Sequence, residues 1–94
     1  MSASSDPAAE ATVALPGNVA LHARPAGIVA REARRFPARL TLCRGDREAD
    51  AKSVLRVMAL GAEAGSTVSV RGEGDGAAEA VSHIAGVLST LQEA

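Results

Sequence analysis

The chain has 94 residues, a formal net charge of -1, 47% apolar residues and 1% aromatic residues, so it reads as one domain whose aliphatic core surrounds the single phenylalanine, Phe36. That balance lacks the basic footprint of a nucleic-acid-binding protein, and one cysteine, Cys43, leaves no internal disulfide and no cysteine-built metal site. No stretch approaches the roughly 20 apolar residues of a membrane span, and a cytoplasmic protein working without metal or other cofactor is the simplest reading.

Residues 1–8 are rich in Ser, Ala and Pro without periodicity, and they read as a flexible leader ahead of a domain over 9–94. Thr12 to Leu15 set Val13 and Leu15 to one side as a first strand, ended by Pro16-Gly17-Asn18. Then comes Ala20-Leu21-His22-Ala23-Arg24-Pro25. Proline is well tolerated in a first helical turn, where its missing N–H would go unpaired, so a helix is predicted to start at about Ala23 to Pro25. No Ser, Thr, Asp or Asn is present at Leu21 to Ala23 to cap that end. Open amides, the positive helix end and the Arg24 guanidinium describe an anion site, with His22 able to carry the anion itself.

From Arg24, the residues Ala26, Val29, Ala30 and Ala33 recur at helical spacing, with Arg31, Arg34 and Arg35 on the other side. Leu40 and Leu42 mark a strand over Arg39 to Cys43. Gly45-Asp46 turns the chain into a weaker strand over Arg47 to Asp50. Lys52 to Leu60 has a helical period, with Ser53 at the cap or first turn and Gly61 as its stop. Val54, Leu55 and Met58 cannot all share the face of Val57 and Leu60, which predicts apolar groups left on the surface as a docking patch. A strand over Thr67 to Arg71, a glycine-rich turn over Gly72 to Gly76 and an amphipathic helix over Ala77 to Leu91 complete the order βαββαβα. The economical architecture is an α+β fold, a four-stranded antiparallel sheet with three helices on one face.

Histidine can attack phosphorus and hold a phosphoryl group through nitrogen, in a bond labile enough to pass the group on. Arg24 and the helix-end amides would steady the charge through charge-assisted hydrogen bonds. The bland alternatives are a surface histidine at position 22, a packing or exposed histidine at 83, a plain turn at Gly72 to Gly76, which lacks a Walker lysine, and a structural Cys43.

Two segments in register resemble a known family, the histidine-containing phosphocarriers (HPr) of the bacterial phosphoenolpyruvate-dependent sugar phosphotransferase system. Leu21-His22-Ala23-Arg24-Pro25-Ala26 is similar to the family's active-site signature, and Lys52-Ser53-Val54-Leu55-Arg56-Val57-Met58-Ala59-Leu60-Gly61 to its regulatory-serine segment. The resemblance covers about Ala9 to Leu91. It implies an open-faced β-sandwich and a monomer that is not itself an enzyme. His22 would accept phosphate on Nδ1 from Enzyme I and pass it to the EIIA domains of sugar permeases, with Arg24 as its partner.

The resemblance also maps a docking surface onto Ala23, Arg24, Ile28, Arg31, Arg34, Val54, Leu55, Arg56 and Met58. It aligns Ser53 with the serine that an ATP-dependent HPr kinase phosphorylates in many members. Capping alone also explains Ser53, and both readings stand. One departure is Ala20, where the family usually has glycine. A regulatory paralogue, serving nitrogen or other signalling, is the alternative function. An acylphosphatase-like hydrolase would need a glycine-rich phosphate loop with an assisting asparagine, and no such loop is visible.

Overall fold

The computed structural model describes residues 8–92. The elements are β1 (Ala8–Ala14), α1 (Ala23–Ala33), β2 (Arg39–Arg44), β3 (Arg47–Asp50), α2 (Val54–Ala59), β4 (Thr67–Glu73) and α3 (Ala77–Ser89), the expected βαββαβα order. The strands form one antiparallel sheet in the order β1-β4-β2-β3. Side chains alternate across a strand, so Leu40, Leu42, Val68 and Val70 enter the core while Arg39, Thr41, Ser69 and Arg71 face the open side. On the covered side α3 packs against β1, β2 and β4, and α1 packs against α2 and α3.

The first strand is longer than its sequence signal. Instead of Thr12 to Leu15 it runs from Ala8 to Ala14 and pairs with β4 from Ala8 opposite Glu73 to Ala14 opposite Thr67. Its inward positions begin with Ala9 and Ala11, whose single methyls leave almost no hydrophobic alternation to read. Leu15 lies just past the strand, 3% exposed, its N–H bonded to the Ser66 carbonyl at 2.8 Å. The proposed leader boundary therefore shifts at Ala8, which is already strand. Residues 1–7 of that leader lie outside the described residues.

Four further expectations change. Phe36 does not centre the core: it is half-buried at the rim, its ring 5.3 Å from the His83 ring, and the fully buried interior is Leu, Val, Ile and Ala. The turn after β4 begins later, because Gly72 and Glu73 still pair with β1 and β2. The second helix starts at Val54, with Lys52 before it, and the third ends at Ser89, although Leu91 remains buried.

Gly72 stays in the sheet because α3 leaves no room for a side chain. A Cβ there would lie 2.7 Å from Val81 Cγ2 and 3.2 Å from the Ala77 carbonyl oxygen. Gly72→Ala is expected to cost about 1–3 kcal/mol by forcing α3 away from β4, measured as a lower urea midpoint with an unchanged m value.

Candidate functional site

The loop before α1 is held by alternating burial. Val19 and Leu21 are 1% and 2% exposed, whereas His22 lies out on the surface. The Leu21 N–H donates to the Ala62 carbonyl at 3.0 Å, and the Val19 N–H to Pro16 at 3.2 Å. His22 is the N-cap of α1 with extended backbone (φ -77°, ψ -169°), and its carbonyl accepts from Ala26 N–H at 2.9 Å. The backbone starts the helix and the imidazole makes no capping bond, so the ring is left for other work.

The helix geometry gives the N–H groups of Ala23 and Arg24 no intrahelical acceptor, and Pro25 has none to offer. Ala23 and Arg24 are exposed, and no acidic side chain occupies the first turn. Two amides without intrahelical acceptors and the positive end of α1 therefore lie next in sequence to the exposed imidazole, with the exposed Arg24 in the same turn. Ala20, where a glycine was expected, is accommodated: no non-glycine residue among those described has positive φ, so the loop needs no left-handed residue there. The Ala20 carbonyl accepts the His22 N–H at 2.9 Å.

Ser53 is the N-cap of α2, and its Oγ accepts from the Arg56 N–H at 3.2 Å. Gly61, at φ +71°, ends this helix in the left-handed conformation that glycine adopts at no steric cost. Val57 and Leu60 are buried, while Leu55 is 77% and Met58 38% exposed, the surface patch anticipated from their spacing. Val54 and Ile28 are half-buried against the core, and Arg31 and Arg56 are exposed.

Arg34 is committed within the protein, since its Nε donates to the Lys52 carbonyl at 2.9 Å and ties the end of α1 to the start of α2. Lys52 Nζ in turn donates to the Phe36 carbonyl at 2.7 Å. An open depression beside Ser53 is lined by Arg39, Lys52 and Arg56 together with Glu48, Asp50 and Glu73. His22 is not among the residues lining it. On the open sheet face Cys43 is half-buried, and desolvation raises its thiol pKa, which makes it a poor nucleophile. Among the described residues no group of three or more His, Cys, Asp and Glu side chains could hold a metal ion, and no helix is long and apolar enough to cross a membrane.

An exposed histidine at a helix start without a side-chain cap, on a four-stranded antiparallel sheet with three helices, defines a small α+β class of fold. Residues 9–90 match the PTS-HPr family, described as "PTS HPr component phosphorylation site", and the chain belongs to that family of phosphocarriers of the phosphotransferase system. It is 34% identical over 82 residues to the phosphocarrier protein HPr of Vibrio cholerae serotype O1, covering 87% of this chain and 96% of that protein. It is 39% identical to the multiphosphoryl transfer protein of Xanthomonas campestris pv. campestris, again over 87% of this chain but only 10% of that protein. The crystal structure of a phosphocarrier protein HPr from Bacillus anthracis superposes with a TM-score of 0.82 at 29% identity, covering 87% of this chain and 98% of the other.

The other histidine has a structural task. His83 Nε2 lies 2.8 Å from Glu32 Oε1, which also accepts from Arg35 Nη1 at 2.8 Å, so the carboxylate joins α1 to α3. The hydrogen bonds from His83 and then Arg35 lower the Glu32 pKa below its ordinary 4.5. A carboxylate with a depressed folded-state pKa contributes its full stability above the unfolded value and loses it as the pH falls through the folded one. Glu32→Gln is therefore expected to be less stable than the parent at pH 7 and to lose less stability on acidification below about pH 4.5, read from thermal midpoints across the acid limb.

Proposed function

We propose that the chain relays a phosphoryl group on Nδ1 of His22, taking it from phospho-Enzyme I and giving it to EIIA domains. The observation that carries this reading is the exposed His22 imidazole, unused as a cap, beside the open amides of Ala23 and Arg24. The Nδ1 lone pair attacks phosphorus and forms the P–N bond, while the donor's bond to phosphorus breaks and its electron pair leaves with the donor. The Arg24 guanidinium and the two amides hold the phosphoryl oxygens through charge-assisted hydrogen bonds. The reverse sequence delivers the group to the acceptor. The chain thus acts as a carrier whose donor and acceptor supply the rest of the chemistry.

The docking surface in this reading comprises Ala23, Arg24, Ile28, Arg31, Arg34, Val54, Leu55, Arg56 and Met58. Exposed Leu55 and Met58 supply its apolar part. Arg34 contributes through its remaining N–H groups, because its Nε is engaged with Lys52. A cytoplasmic monomer suits a carrier that must meet several partners in turn. The likeness to a multiphosphoryl transfer protein supports a place within a series of phosphoryl transfers.

Ser53 in this reading is both a cap and a target for an HPr kinase. A phosphate there adds negative charge beside Leu55 and Arg56, on the surface that partners must approach. The regulatory-paralogue alternative shares the His22 chemistry and differs in its acceptor.

Incubation with Enzyme I and phosphoenolpyruvate is expected to place one acid-labile phosphate on the protein, detected by intact mass. His22→Ala should remove it entirely, and unchanged labelling of that variant overturns the assignment. Aspartate is also a good N-cap, so Ser53→Asp should keep α2 intact while slowing the transfer from Enzyme I about tenfold, equivalent to about 1.4 kcal/mol. Stopped-time labelling with the circular dichroism of α2 as a folding control checks this.

A further inference from the structure

Two arginines that take no part in the site described above converge at the far end of α2. Arg44 and Arg47 close the β2–β3 hairpin as directly opposed residues. Like charges in that position repel, and neither forms an ion pair with a carboxylate among the described residues. Both nonetheless point at one place. A Cβ on Gly61 would stand 3.4 Å from Arg47 Nη1 and 3.7 Å from Arg44 Nη1. Arg44 is fixed there, because Nη1 donates to the Leu60 carbonyl at 3.2 Å, while Arg47 is exposed and makes no such bond among the described residues. Gly61 leaves the space between them without a side chain. The neighbouring Arg71 differs, since it is neutralised by Glu48 at 3.3 Å.

We infer that Arg44 and Arg47 form a fork that receives a carboxylate side chain of the docked phosphoryl donor, extending the docking surface beyond α2. The inference rests on the proposed carrier function. Charge decides the chemistry of the occupant: two unneutralised guanidiniums, one held in place and one free to close, match a carboxylate through parallel N–H donors. Continuity decides that the occupant belongs to the docked protein. Gly61 directly follows Leu60, the C-cap of the six-residue helix that carries exposed Leu55 and Met58, so the fork stands at the C-terminal end of the element that presents the apolar patch. A partner that covers the exposed face of α2 therefore has Arg47 at the edge of its footprint, beside Gly61. Removal of water by that contact strengthens the ion pair, and repulsion between the arginines is relieved when the anion seats.

The test is the steady-state phosphorylation of the full chain by Enzyme I and phosphoenolpyruvate, with the chain as varied substrate. Arg47→Gln removes no intramolecular bond, and it is expected to raise KM about fivefold with kcat unchanged, since His22 is untouched. Arg47→Glu should raise KM further, and the rise of KM with salt should be shallower in both variants than in the parent. Arg35→Gln, which makes the same change in net charge away from the fork, should leave KM where it was. Equal KM values for the parent, Arg47→Gln and Arg47→Glu overturn the fork, as does an equal rise in Arg35→Gln, which would reduce the effect to overall charge. A parent chain that takes no phosphate overturns the carrier function itself, and the fork with it, and is told apart by the missing mass increment on His22.

Discussion

The burial of Leu21, together with the bond from its N–H to the Ala62 carbonyl, is the constraint on which the working surface depends. With Leu21 driven inward, extended backbone at the next position turns His22 outward, and the helix that follows starts from the His22 carbonyl. The acceptor in this bond belongs to the segment just after α2. The loop before α1 and the exit of α2 are thus one assembly, reinforced by bonds from Leu15 N–H to Ser66 and from Gly65 N–H to Pro16. At the opposite end of the two helices, Arg34 makes the corresponding link from α1 to Lys52. The two short connections keep the histidine and the exposed residues of α2 in a set relation.

The family's chemistry suits that arrangement. An active site that performs turnover encloses its substrate, excludes water and gathers titratable groups whose pKa values are pulled apart. His22, by contrast, is exposed at the start of α1, with its imidazole unused as a cap and its carbonyl engaged in starting the helix. Structural order is spent on presentation, and the polar contacts that tie elements together, such as Glu32 with His83 and Arg35, lie away from the presented ring.

Much of this could be read from residue order. Pro25 in the first helical turn with no cap ahead of it, Gly61 as a helix stop, and the misfit of Leu55 and Met58 with the buried face each follow from local stereochemistry, and each takes the place expected for it. The N-terminal half of β1 was hidden because Ala9 and Ala11 carry too little hydrophobic signal, and only the seven paired positions on β4 reveal it. Phe36 is the one large aromatic side chain, yet size does not set position, and the ring sits at the rim against His83. Contacts between distant elements had no sequence signal. The Glu32–His83 pair spans 51 residues, and Arg44 meets Gly61 only because the hairpin folds back under α2. Arg34 likewise reads as a surface charge until Lys52 is brought beside it.

The interior is unusual in what fills it. Ala26, Ala30 and Ala33 on α1, and Ala77 and Ala80 on α3, are all at most 1% exposed. Methyl-sized side chains let the helices lie close to their neighbours and leave little volume to delete. In cores of leucine and phenylalanine the dangerous changes are truncations that open cavities. At these alanines the vulnerable direction is the opposite one, because an added methylene on a fully buried face must displace its neighbours. Side-chain volume at these five positions is thus bounded from above, a limit that the exposed side chains of the same helices do not share.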